Sequence, residues 1–171
     1  YEVIQILIVG DVSREFNVGT IGTIGFFIFL FSANHGTFDS LLDDGSPALK
    51  KYRIIAVIAP LVILLAGVLI IIEGITPAAS IFGFIEELAI GATLYYNFKH
   101  LIIPKEYSDM FSRLRPYFLL VILMGVIMTI ENISFYCGFD NTIGQVCVCA
   151  ASVVILFMVP ALERGLGKWA I

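Results

Sequence analysis

Four glutamates stand where glutamate is costly. Glu73 lies near the end of the apolar phrase GVLIIIEGI (residues 67–75), and Glu131 holds the matching place in GVIMTIENI (residues 125–133). Glu86 and Glu87 sit together inside the apolar stretch between them. A charged acid at the centre of a membrane helix costs about 2.5–3.5 kcal/mol on insertion scales, so each needs something to offset that cost. Intramembrane acids that face one another share protons, as a relay or cation site requires. Glu86, Glu87 and Glu131, with Asn132 beside them, are therefore the candidate proton or cation site. Glu73 is the outlying candidate, because it can reach headgroups at its helix end. The competing reading is structural, with protonated carboxyls bridging helices for about 0.6 kcal/mol each. Neighbours on a helix point about 100° apart. One of Glu86 and Glu87 is thus expected to face the bundle and the other its interface or a neighbouring subunit.

Other chemistries find less support. Cys147 and Cys149 are two apart, about 200° around a helix, and cannot hold one metal ion together. Cys137 and Cys147 flank one turn and could bridge in an oxidising compartment, but three buried, small apolar thiols are the simpler expectation. His35 and His100 fall in connections, away from the mid-span position a haem ligand normally takes. Asn132-Ile-Ser134 has the form of a glycosylation acceptor but lies too near the lipid to serve as one. Asp39, Asp43 and Asp44 do not follow the alternation of a calcium loop. No nucleophile and base fall into a known catalytic spacing, so an enzyme is not expected. No metal site and no particular cofactor is implied.

The chain around these residues is a membrane chain. Of 171 residues 59% are hydrophobic and 14% charged, against about 45–50% and about 25% in soluble domains. Mean hydropathy is +0.97. The net charge of −4 comes with no basic stripe, so nucleic acid is not an expected partner. The bilayer is. The fold expected is all-α, one polytopic bundle of about five spans over residues 18–33, 54–73, 81–98, 117–137 and 145–162. Residues 1–17 read as an interfacial segment or the end of an earlier span. The first residue is Tyr rather than Met, which leaves room for spans upstream.

Proline and glycine punctuate this plan. Pro116 suits the start of the fourth span, and Pro160 suits a kink or end of the fifth. Gly19, Gly22 and Gly25 recur every three residues and offer a small face to another helix, as do Ala150 and Ala151 in the fifth span. Trp169 reads as an interfacial anchor.

Alternating five spans across the membrane gathers Lys50, Lys51, Arg53, Lys99, Lys105, Arg113, Arg115, Arg164 and Lys168 on one side, with only Arg14 opposite. The positive-inside rule then puts the N-terminus outside and the C-terminus inside. The repeated phrase suggests two helical hairpins related by an axis along the membrane normal. At 1.5 Å per residue the four acids all fall in the outer half. Three functions fit this outline. One is a structural subunit that assembles with itself or with other membrane proteins. The second is a transporter or channel component with an acidic site, and the third is the membrane sensor part of a longer receptor.

Overall fold

Three short polar side chains start the long helices. Thr76 Oγ1 accepts a hydrogen bond from the Ala79 amide at 3.1 Å, Ser108 Oγ one from Phe111 at 3.4 Å, and Asp140 Oδ1 one from Thr142 at 2.8 Å. Each satisfies an amide that a helix start leaves without an intrahelical acceptor. The computed structural model describes residue 4, residues 18–38 and residues 47–167. The expectations for Arg14, for Asp39, Asp43 and Asp44, for Lys168 and Trp169, and for an interfacial segment over 1–17 fall outside the described residues.

Helix α1 is Val18–Ala33, continued by a π-helical turn over Asn34–Phe38. Helices α2 (Pro47–Ala56) and α3 (Ile58–Glu73) make one apolar length interrupted at Val57. Pro60 causes the interruption: it has no N–H for the Ala56 carbonyl, and its ring crowds that carbonyl. The Val57 amide bonds instead to Ile54 O at 3.3 Å, and the regular pattern resumes with Leu61 to Val57 O at 3.2 Å. Then follow α4 (Pro77–Ile102), α5 (Asp109–Tyr136) and α6 (Asn141–Leu166). Among the described residues there is no strand, and five helices are long and apolar enough to cross a membrane: Gly19–Phe38, Leu49–Glu73, Pro77–Ile102, Asp109–Tyr136 and Asn141–Leu166.

The helices are longer than the apolar runs that announce them, and two prolines change role. Ser108 caps α5 eight residues before Pro116, which therefore lies inside the helix rather than at its start. Pro160 does not end α6 either; that helix runs on to Leu166, and Gly167, at φ 51°, stops it. Lys99 and His100 belong to α4 rather than to a connection, and both are buried, as is Asn97.

Helices α4 and α5 form the centre. α4 touches α1, α2, α3 and α5, while α5 touches α3, α4 and α6. Single glycines set the close approaches, as expected where lipid gives no hydrophobic drive between helices. A Cβ at Gly125 would lie 2.3 Å from Leu94, at Gly144 2.2 Å from the Phe135 ring, and at Gly165 2.4 Å from Leu114. Gly22 and Gly25 behave differently: a Cβ on either would meet nothing within 4 Å. The buried face is carried instead by Thr20, Phe27 and Leu30 of α1 and by Asn34 of the turn that follows. In α6, Ala151 is buried and Ala150 half-buried.

The two ends of the bundle differ in kind. At one end the Ile75 amide donates to Tyr136 O at 2.9 Å, fastening the α3–α4 turn to the α5–α6 turn. At the other, the Tyr52 and Tyr107 rings meet at 6.4 Å and Asp109 pairs with both Lys105 and Arg113. Helix direction places all the described basic residues, Lys50 through Arg164, toward that second end. The outer surface is apolar: Phe29, Leu65, Ile72 and Leu156 are each 69–71% exposed, a surface that suits lipid rather than water.

Asp140, in the turn between α5 and α6, is fully exposed, and the Thr142 amide holds its carboxyl below the usual carboxylate range. A folded-state pKa lowered in this way contributes stability that is complete above the unfolded value, about 4, and lost as pH falls through the lower folded value. Asp140→Ala is expected to lower the thermal midpoint at neutral pH, with the gap to wild type closing at strongly acid pH. A gap unchanged by acid would contradict this capping role.

Candidate functional site

Glu86 and Glu87 are both inside, at 2% and 0% exposure. The expectation that one would face the rim is corrected. α4 is the central helix, so side chains 100° apart both meet protein. Glu87 faces α3 and α5. A Cβ at Gly67 would stand 3.2 Å from Glu87 Cβ, so the glycine of the first apolar phrase makes room for this acid. From α5, Thr129 Oγ1 donates to Glu87 Oε2 and Asn132 Nδ2 to Glu87 Oε1, each at 2.8 Å. Thr129 and Asn132 are three apart and share a helix face. The hydrogen-bond partners of Glu87 are thus a hydroxyl and an amide.

Tyr136 extends the same stripe, four residues beyond Asn132. Its hydroxyl lies 3.0 Å from Glu86 Oε2 and 3.5 Å from Thr20 Oγ1 on α1. One phenolic proton serves one acceptor well, and the shorter distance gives it to Glu86. Glu131, next to Asn132 on α5, is 2% exposed. The structure thus brings Glu86, Glu87, Glu131 and Asn132 into one layer spanning α1, α4 and α5. It leaves Glu73 exposed at the end of α3, outside that layer.

This layer can accept a proton with little rearrangement. The two hydrogen bonds to an ionised Glu87 are charge-assisted, about 1.5–3 kcal/mol each, which is comparable with the insertion cost. If Oε2 takes a proton, the Thr129 hydroxyl can rotate and become the acceptor, because a hydroxyl serves either way. Both charge states therefore keep their partners. The acids do not converge on one point: among the described residues no three His, Cys, Asp or Glu side chains are grouped to hold a metal ion.

A polar seam leaves this layer along the α1-facing side of α4. Glu86, Thr93, Asn97 and His100 are spaced 7, 4 and 3 apart, one helical face, and all are 0–2% exposed. Thr93 Oγ1 donates to Phe27 O at 2.8 Å on α1, and Asn97 Nδ2 to Thr93 O at 2.8 Å. His100 sits among the rings of Phe38, Phe111 and Phe118 at 4.8–6.2 Å. Sequence reasoning missed this seam because Asn97 and His100 look like a span boundary. The signal was their spacing from Glu86.

Other candidates resolve simply. Asn132 is 3% exposed and bonded to Glu87, so it takes no glycan. Cys137, Cys147 and Cys149 are free thiols, and they are not buried: Cys137, at the end of α5, and Cys147 are half-buried and Cys149 is exposed, the packed face of α6 being carried by Gly144, Val148 and Ala151. The repeated phrase is not a repeated environment. Gly67 and Gly125 both face α4, whereas an axis along the membrane normal would turn Gly125 toward α6; Glu73 is exposed and Glu131 buried. Comparison with known proteins gives no match to a family model, a curated protein or a solved structure.

Proposed function

We propose that the chain is a multi-pass membrane carrier or channel component in which Glu87, together with Glu86 and Glu131, binds and passes protons. The observation that carries this reading is the enclosed acid layer. Three carboxyl groups lie at 0–2% exposure, and Glu87 stands between a hydroxyl and an amide that suit either of its charge states. Structural bridging alone could be met by neutral polar side chains at lower insertion cost. Protons fit better than metal ions, because the acids do not share a point of coordination. By the positive-inside rule the basic end faces the cytoplasm, matrix or stroma, with the acids in the outer half. The seam through Thr93 and Asn97 leads from them toward the inner face.

The test is proton flux in liposomes loaded with a pH-sensitive dye. The wild-type chain is expected to speed collapse of an imposed pH gradient. Glu87→Gln and Glu131→Gln, folded to the same helical content, are expected to slow it by about tenfold or more. Unchanged flux in both variants rejects the carrier reading.

A second reading, an assembly subunit packed with itself or with other membrane proteins, is favoured by α1 and α6. Each packs chiefly on one neighbour, and Gly22 and Gly25 lie open on the outer side of α1, where another helix could approach closely. Unchanged flux together with dissociation of an oligomer by Gly22→Leu would establish that role instead.

A further inference from the structure

At the basic end, α5 and α6 part to leave a groove of about 670 Å³. Its walls are apolar and its mouth is not: Leu123 and Phe157 line the deep part, Pro116 and Pro160 the middle, and Arg113 and Arg164 the rim. The positions recur as one stripe on each helix, 113, 116 and 123 on α5 facing 157, 160 and 164 on α6. From Arg113 to Leu123 the groove follows the helix for roughly 15 Å. Leu123 and Phe157 are 47% and 60% exposed, so the walls are open to whatever lies beside the bundle.

We infer that this groove holds one anionic phospholipid, its phosphate between Arg113 and Arg164 and an acyl chain along Leu123 and Phe157. Charge and polarity both select that occupant. An apolar peptide would bring no anion to the two guanidinium groups at the rim, and a free phosphate would leave the apolar walls bare. Asp109 engages Arg113 from one helical turn away, yet a guanidinium has five N–H donors and keeps others for a phosphate. Planar, forked donors suit phosphate oxygens. The rim lies at the end that carries all the described basic residues, the end that borders anionic headgroups in the positive-inside orientation. Basic pockets between spans on that side are where such headgroups bind. The inference rests on the membrane reading, not on proton transfer, so flux and lipid retention can fail separately.

The test is native mass spectrometry of the full chain released from bilayer discs of mixed phosphatidylglycerol and phosphatidylcholine. One phosphatidylglycerol is expected to stay on each wild-type chain in preference to phosphatidylcholine. Each arginine near an anionic headgroup is worth about fivefold in retention, and the pair about 30-fold. Arg113→Gln with Arg164→Gln should lose that preference, the double lysine variant should keep part of it, and Lys50→Gln with Lys51→Gln should leave it unchanged. Equal retention of both lipids by wild type would overturn the assignment, as would equal loss in the lysine-to-glutamine control, which indicates diffuse attraction to the basic end. Displacement of the lipid by millimolar inorganic phosphate would overturn it too, since the acyl chain would then contribute nothing.

Discussion

Glu87→Ala is expected to destabilise the bundle by about 2–5 kcal/mol, because it leaves two buried donors without an acceptor at about 1–3 kcal/mol each. Thr129 and Asn132 both aim at this carboxyl, and the side chain is fully enclosed. Glu87→Gln should behave differently. The Asn132 amide can flip to present oxygen to the new amide, and the glutamine oxygen can still accept from Thr129. A loss of about 1 kcal/mol is expected for Gln, within the net worth of one hydrogen bond. Unfolding in detergent micelles, followed by circular dichroism, separates the two. Equal and small losses for Ala and Gln would mean that Glu87 is not the acceptor that joins α4 to α5.

The second large effect lies at a residue with no polar atom in its side chain. A Cβ at Gly83 would stand 2.7 Å from Ile70 Cγ2 and 2.7 Å from Tyr136 Cδ2. Neither neighbour can retreat easily: Ile70 is fully buried, and the backbone carbonyl of Tyr136 is held by the Ile75 amide. Gly83→Val is therefore expected to cost about 1–3 kcal/mol as overpacking. It should also push the Tyr136 ring away from Glu86 and slow proton flux although no site residue has changed. Gly22→Ala is the contrast, with open space around it, and should stabilise α1 by up to about 1 kcal/mol through helix propensity. Thermal unfolding of both variants in detergent checks the pair. A destabilised Gly22→Ala would show that α1 has a neighbour on its outer side.

The five long apolar helices are legible in the sequence, because a run of some twenty apolar residues has few other uses. Their ends are not. Asn97 and His100 look like a boundary, yet they continue α4, since a polar side chain that finds protein partners need not leave the membrane. The acids could be counted, but which way Glu86 and Glu87 face depends on how many helices surround α4. The glycine triplet at 19, 22 and 25 drew attention by its regularity, while isolated Gly67, Gly83, Gly125, Gly144 and Gly165 set the close contacts. Spacing in a single helix cannot say which face another helix will cover. The matching phrases at 67–75 and 125–133 misled for a related reason. Aliphatic residues match cheaply, and Glu73 and Glu131 ended in different surroundings.

The central claim is that the enclosed carboxyl layer takes up and releases protons. Infrared difference spectroscopy of the full chain in lipid bilayers, recorded between acid and alkaline pH, addresses it most directly. The account predicts a carbonyl band from a protonated carboxyl in a dry environment that exchanges with a carboxylate band across the pH range and is lost in Glu87→Gln. Superimposable difference spectra for wild type and Glu87→Gln would contradict it.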